Sequence, residues 1–369
     1  MKLSIPIGTR PQLIKISPLV RRIEKEKDIE LQFIDTGQHY DHELNKTFYD
    51  ELNLPESKFL EIGSGAPGEQ TGNALIAIEK ELIKFGPDLV LVIGDTNSTL
   101  AGALAAVKQK IPLGHIEAGL RSFDRRMPEE INRIIVDHIS DYLFTPTKNA
   151  LKNLKKEGIP KDKIFFTYDI TVDACLENYR IAKEKSKILE ELDINPRDYV
   201  VVTAHRQENV DKKENLEKIV DSLLSLNKEV IFPVHPRTLK NLEKFGLREK
   251  IASNCKLVKP AGYFDFLMLL ANAACVVTDS GGVQKESLIL KTPCITIRES
   301  TEWVETVKLD ANILVGLNEK KIAYEVEKRS EERFHRSIDR IKNPYGDGKT
   351  NRRILDFIKK IIMPWPKGF

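Results

Sequence analysis

Apolar runs of four to six residues alternate along the chain with longer segments in which apolar residues recur every three or four positions. The runs are KLSIPI, LQFIDT, LVLVIG, LGHIEA and YLFTPT in the first half, then IFFT, YVVVTAH, VIFPVH, KLVKP, CVVTDS and CITIRE. Runs of this kind predict buried strands, and intervening segments such as GNALIAIEKELIKFG predict amphipathic helices. Strands separated by helices pair in parallel, because each crossover helix returns the chain to the same edge of the sheet. The pattern therefore predicts an α/β protein with parallel sheets.

The number of predicted strands sets the number of domains. About a dozen strands would overfill one open sheet, so two Rossmann-like, doubly wound domains facing a cleft are predicted. The chain has 369 residues, which is also too long for one ordinary core. We predict an N-terminal domain over residues 1–168, a C-terminal domain over 169–349, and a helix and tail over 350–369 that pack back across the domains.

Composition and charge exclude several classes of protein. Charged residues make up 31% of the chain and the net charge is +3, so no field of one sign predicts binding to nucleic acid or to a membrane surface. The longest apolar segment, FLMLLANAACVV, is too short to cross a bilayer, and the start MKLSIPIGTRP does not read as a signal peptide. The four cysteines show no close-paired spacing, so free thiols in a reducing cytoplasm are predicted.

Polar residues follow the predicted strands at the points where the strands end. These residues are Arg10, Asp95, Glu117, His205 with Arg206, His235, Ser280 with Gly281 and Gly282, and Arg298. In doubly wound folds, ligands bind at the carboxyl ends of the strands. Glycines let the backbone approach a bulky group, and a helix N-terminus presents unpaired N–H groups to an anion such as phosphate. The strand ends therefore predict an anion-binding site with acid–base groups.

Each of these residues also has a structural interpretation that requires no ligand. Asp95 and Ser280 could cap the helices that follow them, since short polar side chains favour that position. Glu129 and Arg133 could pair at a helix start. Glu117 and Arg121 could form a salt bridge within a loop, and His205 could be an oriented core histidine.

Two further patterns predict neither a cofactor nor a metal. GSGAPG, at residues 63–68, matches the dinucleotide pattern G-x-G-x-x-G. Because Pro67 stiffens it and no acidic residue closes a second strand about 20 residues later, a flexible loop is predicted instead. His39 and His42 are interpreted as surface or capping residues rather than metal ligands.

Six short motifs occur in order between residue 8 and about residue 305: GTRPQLIK, GDTNSTLAGALAA, HIEAGLRS, PEEINR, TAHRQEN and TDSGGVQKES. Together they resemble the non-hydrolysing UDP-N-acetylglucosamine 2-epimerases. The resemblance implies a glycosyltransferase-B architecture with the UDP-sugar bound between two Rossmann-like domains. It also implies UDP-N-acetylglucosamine and UDP as ligands, a homodimer in the cytoplasm, and no nicotinamide or metal.

The resemblance assigns roles to individual positions. It implies a catalytic set that consists of Asp95, Glu117, Glu129, Arg133 and His205. It implies a substrate-binding set that consists of Arg10, Lys15, Arg206, His235, Phe266, Ser280, Gly281, Gly282, Glu286 and Arg298. Within the second set, the Ser280–Gly282 turn would hold the diphosphate, Glu286 the ribose and Phe266 the uracil.

The sequence departs from the family pattern at several positions. Gln12 stands where Glu is usual, TYDI replaces a Gly-Asn-Thr stretch, and Ala261 replaces a Gln that contacts the nucleotide. Asp41 and Glu69 stand where bacterial members contact a second, activating UDP-sugar molecule. That form of activation is therefore an open point for this chain.

The implied reaction inverts C2 of UDP-N-acetylglucosamine to give the N-acetylmannosamine epimer, by elimination of UDP and re-addition through 2-acetamidoglucal. A 2-epimerase of a related UDP-sugar, such as a 2,3-diacetamido uronate, is the nearest alternative. A glycosyltransferase of the same fold and a UDP-sugar-binding regulator without turnover are the others. Three carboxylates on the N-terminal strand ends favour internal acid–base chemistry over both.

Overall fold

The computed structural model describes residues 1–37 and 49–362, and the chain divides into two compact units. Unit 1 comprises Met1–Ala174 with Tyr345–Phe369, and unit 2 comprises Cys175–Pro344. The predicted boundary at residue 168 lies a few residues before this division. Each unit contains one parallel sheet with helices around it, which confirms the predicted α/β class.

Within the described residues, the sheet of unit 1 has seven strands in the order β3-β2-β1-β4-β5-β6-β7. All neighbouring pairs are parallel. The strands are β1 Lys2–Ile7, β2 Glu30–Asp35, β3 Lys58–Phe59, β4 Leu89–Ile93, β5 Leu113–Ile116, β6 Tyr142–Thr145 and β7 Ile164–Phe166. The strand order reverses between β1 and β4, and a ligand crevice of such a sheet lies at the carboxyl ends of these two strands.

The sheet of unit 2 has six strands in the order β10-β9-β8-β11-β12-β13, and its pairs are also parallel. The strands are β8 Tyr199–Thr203, β9 Glu229–Pro233, β10 Cys255–Val258, β11 Cys275–Thr278, β12 Cys294–Thr296 and β13 Asn312–Leu314. Here the order reverses between β8 and β11. The central strands of both sheets are buried along their whole length, because helices cover both faces of a parallel sheet.

Helices connect the strands of both sheets. In unit 1 they are α1 Arg10–Ile23, α2 Pro67–Phe85, α3 Asn97–Lys108, α4 Pro128–Ile139, α5 Lys148–Lys156 and a 3-10 turn at Lys161–Lys163. Those that follow are α6 Ile170–Lys185, α7 Ile188–Glu191, α8 Gln207–Val210, α9 Lys213–Leu224, α10 Pro236–Lys244, α11 Arg248–Ala252, α12 Tyr263–Asn272, α13 Gly281–Leu290, α14 Val304–Lys308, α15 Glu319–Arg329, α16 Glu332–Asp339 and α17 Thr350–Ile362.

The C-terminal helix α17 belongs to unit 1 and packs on α1. Lys359 forms an ion pair with Glu26, and the ring of Phe357 lies 3.8 Å from that of Phe165 and 5.3 Å from that of Phe144. The chain therefore returns to its first unit after it has completed the second.

Several sequence predictions can be compared with this fold. All four cysteines are buried free thiols, and no described helix is long and apolar enough to cross a membrane. The segment at residues 63–68 is a loop only as far as Ala66, since Pro67 begins α2, where proline fits the first turn of a helix. His39, Asp41 and His42 lie outside the described residues.

Candidate active site

Asp95 and Arg133 form an ion pair at the carboxyl edge of the unit 1 sheet. Asp95 follows β4, and its Oδ2 lies 2.9 Å from Nε and 2.5 Å from Nη2 of Arg133. The third guanidinium nitrogen, Nη1, donates to Glu130 at 2.9 Å. Burial alone would lower the pKa of Arg133, but Asp95 and Glu130 raise it. The Asp95 side chain is still 30% exposed, so a partly exposed carboxylate lies beside a fixed cation.

Glu117 follows β5 and pairs with Lys15 of α1, with 2.8 Å between Nζ and Oε2. Glu117 has a φ of 72°, a left-handed conformation that is costly for a residue with a side chain. Burial would lower the pKa of Lys15, but Glu117, followed by Asp169 and Asp95, raises it. Lys15 is therefore a cation among three carboxylates of unit 1.

The structure rules out four of the simpler structural interpretations. Thr96 rather than Asp95 caps α3, because its side chain accepts from the Thr99 N–H. Glu130 rather than Glu129 pairs with Arg133. Arg121 pairs with Asp137 and Glu157, whereas Glu117 pairs with Lys15. Ser280 occupies the N-cap position of α13, but its side chain makes no capping hydrogen bond.

Glu129 and Arg10 lie near helix starts of unit 1. Glu129 is exposed in the first turn of α4, one turn before Arg133, and it has no ion pair or hydrogen bond among the described residues. Arg10 is the first residue of α1 and is half-buried. The strand-end carboxylates are thus held by cations, whereas Glu129 points from a helix start into solvent.

Gln12 has a structural role that sequence reasoning missed. Its Oε1 accepts from the N–H groups of Gly8 and Thr9 at 3.0 and 3.2 Å. Its Nε2 donates to the carbonyl of Ile93 at 2.7 Å and to Thr99 Oγ1 at 2.8 Å. A glutamate could not donate to Ile93, so Gln12 is the residue type that can join the ends of β1 and β4 in this way.

Asp279 organises the corresponding edge of unit 2, and sequence reasoning missed its role as well. Its fully buried carboxylate accepts from the N–H groups of His205, at 3.1 Å to Oδ2, and of Arg206 at 3.0 Å. It also accepts from Asn209 Nδ2 at 3.0 Å and lies 3.3 Å from His205 Nδ1. The signal in the sequence was a carboxylate between Thr278 and Ser280, directly after a buried strand.

Two histidines lie side by side at this edge. The rings of His205 and His235 are 5.6 Å apart, and the His205 side chain is 42% exposed. His235 caps α10 by accepting from the N–H of Arg237 at 3.1 Å. Burial, the neighbouring His205 and Arg237 lower the pKa of His235, so this ring favours the neutral form that accepts the capping bond.

The N-terminus of α13 has a carboxylate and two arginines beside it. A Cβ built on Gly281 would lie 2.1 Å from Oε1 of Glu302, so the carboxylate in this position lies directly against the glycine. Glu302 Oε2 accepts from Arg298 Nη1 at 2.9 Å, and Oε1 lies 3.9 Å from Arg206 Nη2. The predicted Arg206, Gly281 and Arg298 therefore come together around one anionic group. Glu302 itself was not predicted.

The predicted nucleoside contacts lie on neighbouring helices of unit 2. Glu286, on α13, accepts from the hydroxyl of Tyr263 at 2.9 Å. Phe266 is half-buried on α12, in the same turn as Tyr263, and Gly282 is exposed beside Gly281. Tyr263 was not predicted, since its position in an apolar helix gave no separate signal. Among the described residues, no group of three or more histidine, cysteine or acidic side chains could hold a metal ion.

Comparisons with known proteins give consistent results. The model of the UDP-N-acetylglucosamine 2-epimerase family matches residues 21–359. A UDP-N-acetylglucosamine 2-epimerase of Methanocaldococcus jannaschii is 50% identical over 364 residues, which cover 96% of this chain and 98% of the relative. A UDP-2,3-diacetamido-2,3-dideoxy-D-glucuronate 2-epimerase of Pseudomonas aeruginosa is 39% identical and covers 98% of this chain and 100% of its own.

Solved structures agree with this result. A structure of the Methanocaldococcus jannaschii UDP-GlcNAc 2-epimerase with UDP-GlcNAc and UDP has a TM-score of 0.83 at 50% identity, and covers 98% of this chain and 100% of its own. A Neisseria meningitidis UDP-GlcNAc 2-epimerase bound to UDP-GlcNAc has the same TM-score at 31% identity and covers 98% and 100%.

Proposed function

The chain belongs to the UDP-N-acetylglucosamine 2-epimerase family, and from this premise we propose that it interconverts UDP-N-acetylglucosamine and UDP-N-acetylmannosamine. The observation that carries the proposal is the pairing of Asp95 and Glu117 with Arg133 and Lys15 at one strand edge. Carboxylates held by cations at a strand edge are suited to proton transfer at a sugar carbon.

The first step is the departure of UDP. The C2–H bond of the substrate is not next to a carbonyl, so the C1–O bond to the diphosphate breaks first and its electron pair leaves with UDP. Arg206, Arg298 and the N–H groups at the start of α13 stabilise the charge on the leaving diphosphate, and Arg10 adds a further cation from unit 1.

The second step moves a proton at C2. The positive charge that develops at C1 acidifies the C2 proton, which a carboxylate removes to leave 2-acetamidoglucal. A second acid returns a proton to the opposite face of C2, and UDP re-forms the C1–O bond. The set of Asp95, Glu117 and Glu129 supplies the base, the acid and the stabilisation of the cation between them, in no assigned order. Arg133 holds Asp95 in place, and Lys15 holds Glu117.

The remaining assignments concern the nucleotide. Glu286, oriented by Tyr263, accepts hydroxyl groups of the ribose, and Phe266 lies beside the uracil. Ser280 donates its hydroxyl to the diphosphate, since that hydroxyl is not used to cap α13. His205, fixed by Asp279, and its neighbour His235 add hydrogen-bond donors.

The most direct test is to run the reaction in deuterium oxide without added cofactor. Elimination and re-addition exchange the C2 proton with a carboxylate that equilibrates with solvent, so the epimer should carry deuterium at C2. Long incubation should also release UDP and 2-acetamidoglucal. An epimer that retains protium at C2 would contradict the mechanism, and UDP-sugar left unchanged would contradict the activity.

A second candidate substrate is UDP-2,3-diacetamido-2,3-dideoxyglucuronate, which the name of the Pseudomonas aeruginosa relative favours. That sugar requires a cation near its C6 carboxylate. The same assay with both sugars decides between them, because the true substrate should show the higher kcat/KM. The homodimer and the cytoplasmic location stay predictions, and light scattering of the purified protein tests the first.

A further inference from the structure

A buried histidine lies beneath the two carboxylate loops of unit 1. His115 on β5 and Asp137 on α4 are both buried. His115 Nδ1 lies 2.7 Å from Asp137 Oδ1, and its Nε2 lies 2.8 Å from the carbonyl oxygen of Gly94. A carbonyl oxygen only accepts, and the carboxylate accepts as well, so each ring nitrogen carries a proton. His115 is therefore an imidazolium whose two donors point at fixed acceptors.

This ion pair joins the two loops that bear the proposed acid–base groups. Gly94 directly precedes Asp95, and the other oxygen of Asp137 accepts from the N–H of Gly119, two residues after Glu117, at 3.0 Å. Gly94, Glu117 and Gly119 have φ values of 71°, 72° and 80°. The last backbone bond between the two strand ends runs from the Gly94 N–H to the Ile116 carbonyl at 3.1 Å, and His115 and Asp137 add side-chain cross-links to it on the far side of Glu117.

Arg121 adds a second cation beside the His115–Asp137 pair. Arg121 Nη1 donates to Asp137 Oδ2 at 2.7 Å, and its Nε and Nη2 bind the two oxygens of Glu157 at 2.8 and 2.6 Å. Asp137 raises the pKa of His115 against the effect of burial, and His115 and Arg121 lower that of Asp137. Burying such ions carries a desolvation penalty, and replacing a buried ion pair by apolar residues is often neutral or stabilising, so stability alone does not account for the group.

We propose that His115 and Asp137 are positioning residues that fix the separation and orientation of Asp95 and Glu117, and through them the rate of turnover. Both side chains are buried, with 1% and 0% exposed, so they act through the two loops and not by contact with a substrate. The inference rests on the proposed function of the two carboxylates. A shift of about 1 Å in a reacting group can lower the rate about 100-fold. Loss of a cross-link between the two loops should therefore lower the rate of turnover strongly.

The test compares Asp137→Asn and His115→Gln with the wild type. We expect kcat to fall about 10- to 100-fold. KM for the UDP-sugar and the calorimetric Kd for UDP should change less than about two-fold, because UDP is assigned mainly to unit 2. Hydrogen exchange of the backbone near Gly94 and Gly119 should become faster in both variants. His138→Gln is the matched control, since His138 is exposed on the same helix and its hydrogen bond among the described residues is to the carbonyl of Ile134.

The other outcomes overturn either this proposal or the proposed function on which it rests. Folded variants with wild-type kcat, or with kcat and UDP affinity reduced together, would show that the pair does not act on the carboxylates. Failure of both variants to fold would make the pair a determinant of stability. A wild type that epimerises neither UDP-sugar would defeat the proposed function instead. Even if the wild type were inactive, unchanged hydrogen exchange in the variants would show that His115 and Asp137 do not cross-link the two loops.

Discussion

The two sheets present opposite chemistry at equivalent edges. At the β4 and β5 ends of unit 1, the carboxylates of Asp95 and Glu117 lie at the edge and cations hold them from the side. At the β8 and β11 ends of unit 2, the carboxylate of Asp279 is turned into the protein, and arginines with a helix N-terminus lie at the edge. In the proposed function, one doubly wound topology therefore serves proton transfer in one unit and anion binding in the other.

The two edges share a support, however. In each unit a fully buried aspartate collects backbone N–H groups from a strand-end loop. Asp137 accepts from Gly119, and Asp279 accepts from His205 and Arg206. Buried carboxylates that are fully hydrogen-bonded define one geometry, because a displaced loop would leave a charge without partners. The difference between the edges thus lies in the residues that the strand ends present and not in the way that their loops are held.

The largest effect is expected from neutralising the carboxylates of unit 1. Asp95→Asn, Glu117→Gln and Glu129→Gln should each lower kcat by about 100-fold or more, since each removes an acid–base group. UDP affinity, measured by calorimetry, should stay within a few-fold of the wild type, because the proposed function assigns UDP mainly to the other edge.

Asp162→Asn is the control for these variants, since Asp162 is exposed on the 3-10 turn that precedes β7. Wild-type rates in two of the three variants would mean that proton transfer occurs elsewhere. Among the three, Glu129 is the most exposed in the structure, and its variant tests the resemblance rather than the strand-edge geometry.

The fold was predictable because its signals are local. Buried runs such as LVLVI and CVVT are predicted as strands from the sequence and are strands in the structure. The helices between them require parallel pairing. Strand order was not predictable from periodicity, since it depends on which faces pack together. The start of α2 at Pro67 was also missed, because a proline can stiffen a loop or begin a helix.

The next largest effect is expected on UDP binding, which is assigned to the unit 2 edge and to Arg10 of unit 1. Arg10→Ala should weaken UDP binding by about 1.5–3 kcal/mol, and Ser280→Ala by about 1 kcal/mol, because a charge-assisted hydrogen bond is stronger than a neutral one. Arg10 belongs to unit 1, so its effect would show that the division between the two edges is incomplete. Calorimetry with UDP that shows neither change would contradict the phosphate assignment at α13.

The candidate site was predictable only in part, and the reason is physical. Residues at strand ends, such as Asp95 and His205, are exposed by topology, so their polarity stands out in the sequence. Supporting residues inside helices carry no such signal. Gln12 sits within an amphipathic helix, and the hydrogen bonds that reveal its role reach residues up to 87 positions away. Sequence spacing cannot show which distant backbone groups a buried side chain will meet.

The smallest effect is expected at Glu302, where the test is whether this carboxylate opposes UDP binding at the unit 2 edge. Its carboxylate already contacts Arg298 and approaches Arg206 at the start of α13, so it competes with a diphosphate for the same cations. The side chain is 45% exposed, and exposed ion pairs contribute only about 0.2–1 kcal/mol. Glu302→Gln should therefore tighten UDP binding by at most about five-fold, with less benefit at high salt.

Glu208→Gln is the control, because Glu208 lies 3.7 Å from Nη1 of Arg206 but not beside Gly281. Equal tightening in both variants would reduce the effect to general electrostatics. Weaker UDP binding in Glu302→Gln would mean that Glu302 holds the arginines in place for the ligand, and the carboxylate would then belong to the site that it was expected to oppose.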